Sequence, residues 1–269
     1  MIGAEIDCLD HGYVALADVM GDDRTPARTA RTSYRNREER TAEADGKLTD
    51  YLVRNAHTTP LEFCQVRLYM KLPIFVARQL VRHRTCSINE VSYRYVKAAR
   101  EFYVPAPERM QRKSESNKQG SSSEIVDNPG MCASWMRSAC ETAFDTYEAI
   151  LDEGLAPELA RTVLPVATYT EWYWQQDLHN LLHMLRLRLH PHAQYEVRVY
   201  AQAVLDLIRP VFPTIIAAWE KHVRPVKDDS EALAKCRALL WLGADALAAH
   251  ADSVDNLIDQ MRATAQETT

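Results

Sequence analysis

Residues 63 to 72 alternate between apolar and polar side chains, and this period of two restricts the fold directly. The apolar positions are Val66, Leu68, Met70 and Leu72, with Gln65, Arg67, Tyr69 and Lys71 between them. Successive side chains of a strand point to opposite faces of a sheet, so the alternation predicts a half-buried β-strand. Pro73 then opens a predicted helix, because proline suits a first helical position.

The other predicted elements are short strands and longer helices that do not alternate strictly. Two strands are expected between residues 4 and 19, around His11-Gly12, and the remaining strands are expected at 101–104 and 166–174. Helices are expected at 22–34, 47–57, 131–151, 157–164, 178–189 and 192–208. This order indicates an α+β fold with a small mixed sheet and long helices.

Three regions carry more specific expectations. The helix over 131–151 should face the core, with Trp135 among its inward residues. Residues 111–130 are rich in Ser, Lys, Glu, Asn and Gly, which predicts a flexible loop or a lid over a bound ligand. Residues 1–225 are expected to form one domain. Residues 226–269 are expected to form a C-terminal extension, helical because of its Ala and Leu content.

Composition limits the class of protein. A chain of 269 residues with 46% hydrophobic content can bury a core. No uncharged apolar run approaches the roughly 20 residues of a membrane span, and the first residues lack a secretory apolar core, so a cytoplasmic location is expected.

The six cysteines form no C-x-x-C pair, which predicts reduced, mostly buried thiols. None of the eight glycines falls in a dinucleotide fingerprint or a phosphate loop, so any nucleotide must be bound by side chains.

The segment from Arg82 to Tyr95 concentrates groups that bind anions. It contains three arginines, a histidine, an amide, a carboxylate and two serine hydroxyls within fourteen residues. Guanidinium groups bind phosphate or carboxylate oxygens in pairs and stay charged at biological pH. Ser87, Asn89 and Ser92 add orienting hydrogen bonds that a merely solvated surface does not need.

The charge of this region differs from that of the whole chain. Between Arg78 and Arg100, six Lys or Arg residues accompany one acid, Glu90, which gives +5 in a chain of net charge −5 and leaves −10 elsewhere. A confined basic region on an acidic protein favours a small anionic ligand over a long polyanion. A solvated charged helix face is one alternative. A nucleic-acid-binding module that uses Tyr93-Arg94-Tyr95 for stacking and phosphate contacts is another.

Histidines form a second group of candidate ligand-binding residues. His179 and His183 are four residues apart on a predicted helix, and His190 and His192 follow. The spacing suits two metal ligands on one helix face, but the glutamate of H-E-x-x-H is missing and no cysteine lies near. No metal is therefore expected. The imidazoles should hydrogen-bond a ligand or the neighbouring backbone, since a neutral ring both donates and accepts.

The turn from His57 to Glu62 joins an imidazole, two hydroxyls and a carboxylate between a predicted helix and a predicted strand. A ligand site is one interpretation, because turns positioned by rigid elements often carry function. A Thr-Pro turn with a capping glutamate is the other. Ser92 or Cys86 could act as a nucleophile only with a base within hydrogen-bond reach, which the sequence does not show.

These motifs together resemble one enzyme family. Arg82-His83-Arg84, followed by seven residues and Ser92, resembles the R-H-R-x7-S signature of the flavin-dependent thymidylate synthases. Three more segments are similar to motifs of that family: residues 57–62 to H-x-T-P-x-E, residues 160–165 to A-R-x-x-L-P, and residues 187–194 to L-R-x-x-x-H-A-Q. The resemblance covers the chain from about residue 4 to residue 220.

The resemblance implies the reductive methylation of dUMP to dTMP. In that family 5,10-methylenetetrahydrofolate is the carbon donor, and FAD reduced by NADPH carries the hydride. A single α+β domain that assembles into a homotetramer is implied, with active sites between subunits and without nucleic-acid or membrane partners. A flavoprotein reductase that methylates nothing is the alternative.

The resemblance also assigns site residues by position. Those implied to bind the flavin are Thr59, Glu62, Arg82, His83, Arg84, Asn89, Glu90, Asp177, His179, His183 and His192. Those implied to bind dUMP are Gln79, Arg82, Glu90, Ser92, Arg94, Arg161 and Arg188. Arg188 is the implied catalytic residue, facing the uracil ring and stabilising negative charge as N3 loses its proton.

Overall fold

The computed structural model describes residues 2–35, 38–115 and 120–224. The expected extension over 226–269 lies outside these residues.

An antiparallel sheet organises the described part of the chain. The strands are β1 (Glu5–Cys8), β2 (Gly12–Met20), β3 (Gln65–Pro73), β4 (Ser87–Glu90), β5 (Gln111–Lys113), β6 (Ser121–Ile125) and β7 (Tyr169–Asp177). Five of them form a sheet in the order β1-β2-β3-β7-β4, and each neighbouring pair is antiparallel. The predicted α+β class is confirmed. The prediction of a mixed sheet is wrong, because all four neighbouring pairs in this sheet are antiparallel and a mixed sheet would contain a parallel pair.

Helices cover one face of the sheet and extend beyond it. They are α1 (Thr25–Arg31), α2 (Ala42–Arg54), α3 (Ile74–Leu80), α4 (Pro129–Asp152), α5 (Pro157–Ala160), α6 (Leu178–Arg188), α7 (Tyr195–Ile208) and α8 (Pro213–His222). Short 3-10 turns occur at Thr32–Tyr34, Thr59–Phe63, Pro107–Arg109 and Arg161–Val163. Each helix predicted within the described residues is present. The helix predicted from residue 47 begins five residues earlier, because the Thr41 hydroxyl accepts a hydrogen bond from the Ala44 amide and caps α2.

Helix α8 was not predicted. Its N-terminal amides are capped by a residue far away in sequence, since the Asp23 carboxylate accepts hydrogen bonds from the amides of Thr214 and Ile215 at 3.0 and 3.1 Å. Those amides would otherwise lack partners. A cap supplied from 191 residues away leaves no local sequence signal.

The core lies between the sheet and the helices that follow its strands. The alternation predicted for 63–72 is confirmed, because Val66, Leu68, Met70 and Leu72 are at most 1% exposed. These side chains belong to one apolar cluster with Trp172 and Trp174 of β7 and with residues of α6 and α7. The sheet therefore has one buried face, as the period of two requires.

Three local predictions are wrong. Residues 101–104 form only an isolated bridge, between Phe102 and Thr168, rather than a strand. Residues 111–125 contain the β5–β6 hairpin rather than a loop, because backbone pairing can satisfy a polar segment that has no apolar face to bury. Trp135 is 62% exposed, although Phe144 and Tyr147 of the same helix are fully buried. Helical spacing identifies a common face, but it does not say how far along that face the core extends.

Five cysteines lie in the described part of the chain, and all are free thiols: Cys8, Cys64, Cys86, Cys132 and Cys140. Burial raises the pKa of both the Cys8 and the Cys64 thiol to about 12, so these two stay protonated at neutral pH. Among the described helices, none combines the length and the apolar character that crossing a membrane requires.

We predict that Gly12→Ala lowers the free energy of unfolding by about 1–3 kcal/mol, the usual cost of overpacking. A Cβ at Gly12 would lie 1.9 Å from the Tyr200 hydroxyl and 2.7 Å from the Lys71 carbonyl oxygen, and those two groups hydrogen-bond each other at 2.8 Å. Gly130→Ala is the matched control, because nothing lies within 4 Å of its added Cβ. Denaturant titration of both variants measures the difference, and equal midpoints would contradict the packing described.

Candidate active site

The C-terminal ends of α3 and α6 lie close together, and a hydrogen bond between two of the expected site residues connects them. The Nε–H of Arg188, at the end of α6, donates to Nε2 of His83, in the turn after α3, at 2.9 Å. An Nη2–H of Arg188 donates to the Gln79 carbonyl at 3.2 Å. Helix α6 starts where expected, because the Asp177 carboxylate accepts from the Asn180 amide at 2.9 Å and caps it.

The hydrogen bond between Arg188 and His83 defines the protonation of both groups. A guanidinium has no acceptor, so His83 Nε2 must carry a lone pair and its proton must sit on Nδ1. Burial lowers the pKa of His83 to about 4, and the charges of Arg188 and His183 act in the same direction. Burial also lowers the pKa of Arg188, but an arginine remains charged at neutral pH. The site therefore holds a partly buried cation beside a neutral imidazole.

His183 lies between this cation and a small cavity. Its ring centroid is 6.3 Å from that of His83, and together with His179 it lines a cavity of about 170 Å³ between α2, α6 and the 57–62 turn. The cavity has apolar walls from residues such as Leu52, Leu61 and Leu182, and polar groups from His57, Thr58 and Arg186. Trp219 also lines it, and the buried Nε1–H of Trp219 has no hydrogen-bond partner among the described residues. Apolar walls with a few polar groups are typical of small-molecule sites.

The 57–62 turn forms the edge of this cavity. Its 3-10 segment, Thr59–Phe63, follows Thr58, whose side chain makes no capping hydrogen bond. Thr59 and His57 line a neighbouring cleft of about 560 Å³, and Glu62 is exposed beside it. The turn thus borders two cavities, and its role as a ligand site stays a prediction.

The segment from Arg82 to Tyr95 contains an edge strand, β4, that the sequence did not predict. Asn89 of β4 pairs with Tyr173 of β7, and Glu90 pairs with Trp172. Neighbouring residues of a strand point to opposite faces, so Asn89 and Glu90 lie on different sides of the sheet. The Glu90 carboxylate accepts a hydrogen bond from the Thr170 hydroxyl at 2.6 Å, which orients it at the edge of the buried face.

The remaining residues expected to bind dUMP form a separate group. Arg94 pairs with Glu158 at 3.3 Å, one turn before Arg161, and the Ser92 hydroxyl accepts from the Arg94 amide at 3.4 Å. Within the described ranges, no hydrogen bond or ion pair links this group to Arg188.

Three exposed guanidiniums are free to bind a ligand. Arg82, Arg84 and Arg161 are exposed, and they form no side-chain hydrogen bond or ion pair with other residues that the structure describes. Unpaired guanidiniums on the rim of a site suit phosphate oxygens.

His192 lies in a third region, before α7. It lines a polar cavity of about 620 Å³, together with Arg109, Gln194, Glu196 and Arg198. Across residues 2–35, 38–115 and 120–224, no group of three or more His, Cys, Asp or Glu side chains is placed to hold a metal ion.

Sequence reasoning missed four residues that the structure places at the site. Gln194 hydrogen-bonds Gln79, and Glu196 hydrogen-bonds Gln194. Gln194 belongs to a motif that the sequence analysis quoted, so a signal for it existed. Thr170, Trp219 and Glu196 carried no local signal. Thr170 and Glu196 contact residues far away in sequence, Glu90 and Tyr103, and Trp219 lines the cavity from the unpredicted helix α8.

Comparison with known proteins relates this geometry to one family. The family model described as "Thymidylate synthase complementing protein" matches residues 15–214. A protein of Gluconobacter oxydans named flavin-dependent thymidylate synthase is 44% identical over 220 residues, which cover 80% of this chain and 72% of that protein. A protein of Thermus thermophilus with the same name is 44% identical over 218 residues, with coverage of 81% and 79%.

A solved structure shows the same fold. The UMP/dUMP methylase PolB from Streptomyces cacaoi, crystallised with 5-Br dUMP, superposes with a TM-score of 0.74 at 30% identity. The superposition covers 81% of this chain and 99% of that one.

We predict that His83 stays neutral down to about pH 5. In the unfolded chain its pKa is near 6.5 and in the folded chain near 4, so between these values only the unfolded state binds the proton. Stability therefore falls as pH drops from 6.5 to 4, and His83→Gln reduces that slope while keeping an acceptor for Arg188. Denaturant unfolding at fixed protomer concentration measures the slopes, and ¹⁵N spectra of labelled histidine report the tautomer. A titration midpoint near 6.5 for His83 would contradict the geometry.

Proposed function

The chain belongs to the flavin-dependent thymidylate synthases, and from this premise we propose how its residues convert dUMP to dTMP. It is an enzyme of that class, and the reaction is methylation of the uracil ring of dUMP. We further propose that 5,10-methylenetetrahydrofolate donates the carbon and that NADPH reduces the flavin, FAD.

The observation that carries the proposal is the partly buried Arg188 cation beside a neutral His83. Carbon C5 of uracil becomes a better nucleophile when negative charge develops on the ring, as N3 loses its proton. A cation at that position stabilises the charge without donating a proton. Its Nε–H and one Nη2–H are used within the protein, so three of its five N–H groups remain for the ring.

His83 supports this role in two ways. It accepts the Nε–H and so fixes the plane of the guanidinium, and its neutral ring adds no second positive charge next to Arg188. A protonated imidazole could not accept that hydrogen bond. The orientation of Arg188 therefore depends on a neutral His83.

The described residues fit a bound flavin nucleotide. The apolar cavity beside His179 and His183 suits part of a flat ring, and exposed Arg82 and Arg84 suit the diphosphate. The other residues proposed to hold FAD are Thr59, Glu62, His83, Asn89, Glu90, Asp177 and His192. A reduced flavin, when bound, supplies the hydride that completes the methyl group. Asp177 has a structural part in this site, since both its oxygens accept hydrogen bonds from Asn180.

We propose that dUMP binds across a subunit boundary in a homotetramer. The residues assigned to it fall into two groups within the described chain, Gln79 and Arg188 in one and Ser92, Arg94 and Arg161 in the other, with Arg82 and Glu90 also assigned to it. Exposed apolar side chains are available for assembly, since Met131, Trp135 and Met136 are 42–62% exposed on the first half of α4. A cytoplasmic location and the absence of nucleic-acid and membrane partners stay predictions from composition and resemblance.

Two measurements separate this function from that of a flavin reductase. Purified protein should be yellow, and its flavin absorbance should be lost when NADPH is added without oxygen. Tritium release from C5-labelled dUMP is then measured with and without the methylene donor. With the donor present, it should be accompanied by dTMP. Flavin reduction with no dTMP under these conditions would leave a reductase as the better description.

We predict that Arg188→Lys lowers dTMP formation by roughly 100-fold or more, the usual cost of losing one preorganised electrostatic contact. Lysine keeps the charge but cannot donate to His83 and the ring in the same plane. Arg40→Ala is the matched control, because Arg40 is exposed and pairs with Glu38 away from the site. Activity is measured per bound flavin, so that a loss of cofactor is not mistaken for a loss of chemistry. Full activity of the lysine variant would remove Arg188 from the mechanism.

A further inference from the structure

Glu196 is a buried carboxylate to which the proposed mechanism gives no part. It lies in the first turn of α7 and is 5% exposed. Its Oε2 accepts from the Gln194 side-chain amide at 2.8 Å, and its Oε1 accepts from the Tyr103 hydroxyl at 3.2 Å. Arg109 approaches Oε1 at 3.7 Å. Burying a carboxylate is costly unless it is paired and hydrogen-bonded, so this arrangement needs a reason.

An ionised carboxylate accepts hydrogen bonds and donates none. Only the NH₂ end of the Gln194 amide can therefore face Glu196, and its carbonyl oxygen must face the other way. That oxygen accepts a hydrogen bond from Nε2 of Gln79. The direction of two neutral amides is thus set by one buried charge.

The second amide lies at the proposed nucleotide site. Gln79 belongs to α3, and its main-chain carbonyl accepts the Nη2–H of Arg188 at 3.2 Å. With Nε2 committed to Gln194, the side-chain carbonyl oxygen of Gln79 points away from Gln194 and stays available as an acceptor.

We propose that Glu196 is a positioning residue for the nucleotide site. Through Gln194 it holds the Gln79 amide in one of its two orientations, so that Gln79 offers dUMP a fixed acceptor beside Arg188. The inference rests on the proposed function, which assigns Gln79 to dUMP. Without the buried charge, both amides could flip, and Gln79 would spend part of the time offering the wrong group to the substrate.

A purely structural role for Glu196 is the competing explanation. An acid in the first turn of α7 interacts favourably with the helix dipole, and the Tyr103 hydrogen bond ties α7 to the segment before the β5–β6 hairpin. A structural role affects stability and does not depend on Gln194. A positioning role acts through Gln194 and changes binding of the nucleotide.

A double-mutant cycle between Glu196→Gln and Gln194→Ala, made in the full chain with bound flavin, distinguishes the two roles. Glutamine keeps the size of Glu196 but can donate or accept, so it no longer sets the direction of Gln194. We expect each single variant to raise the KM for dUMP about three- to tenfold, the effect of one neutral hydrogen bond, with kcat per flavin nearly unchanged. In the Gln194→Ala background, Glu196→Gln should raise the KM no further. Additive effects, or an unchanged KM in Gln194→Ala, would overturn the proposal.

Tyr103→Phe is the matched control, because it removes the other hydrogen bond to Glu196 and leaves an ionised carboxylate facing Gln194. It should lower the melting temperature and leave the KM for dUMP unchanged. A rise in KM that follows the melting temperature across all variants would assign Glu196 a structural role. Should Glu196→Gln fail to fold, Gln194→Ala alone still tests the relay, since Gln194 is exposed. Absence of dTMP formation by the unmodified enzyme would instead count against the proposed function.

Discussion

The pairing of β3 with β7 determines where the proposed catalytic group lies. Nine residue pairs join the two strands, from Gln65 opposite Asp177 to Pro73 opposite Tyr169. Because the strands are antiparallel, α3 leaves one end of the pair and α6 leaves the other, and both return over the buried face. A helix rises about 1.5 Å per residue and a strand about 3.4 Å, so seven plus eleven helical residues span about 27 Å, close to the roughly 31 Å of the nine-residue strands. The C-terminal ends of the two helices therefore meet, and Arg188 reaches His83.

That meeting point also explains how a cation can be stable when it is partly buried. The carbonyl ends of α3 and α6 carry partial negative charge, which favours a positive group in the last turn. Arg188 occupies this position and donates directly to the Gln79 carbonyl in α3. The neighbouring imidazole is kept neutral by its burial, so no like charge opposes the guanidinium. The protein thereby holds an unneutralised cation ready for an anionic ring, although the chain as a whole is acidic.

The distribution of polar groups around this point is uneven. One side has the apolar cavity of His179 and His183, and the other has the polar cavity of His192 and Gln194. A flat cofactor and a charged substrate require such different surroundings. The buried Glu196 belongs to the polar side, where a fixed charge can orient neutral amides that would otherwise be free to flip.

Features that depend on neighbours along the chain could be predicted from the order of the amino acids. The alternation of β3, the Asp177 cap of α6 and the periodic faces of the helices all follow from local geometry, and the family motifs identify the chemistry. Features that depend on distant partners emerge only in the folded chain: the antiparallel order of the sheet, the Asp23 cap of α8, the exposure of Trp135 and the hydrogen bonds from Glu196 through Gln194 to Gln79. Periodicity and local capping act within a few residues, whereas these contacts join groups up to 192 residues apart, and no local pattern specifies which distant group a side chain meets.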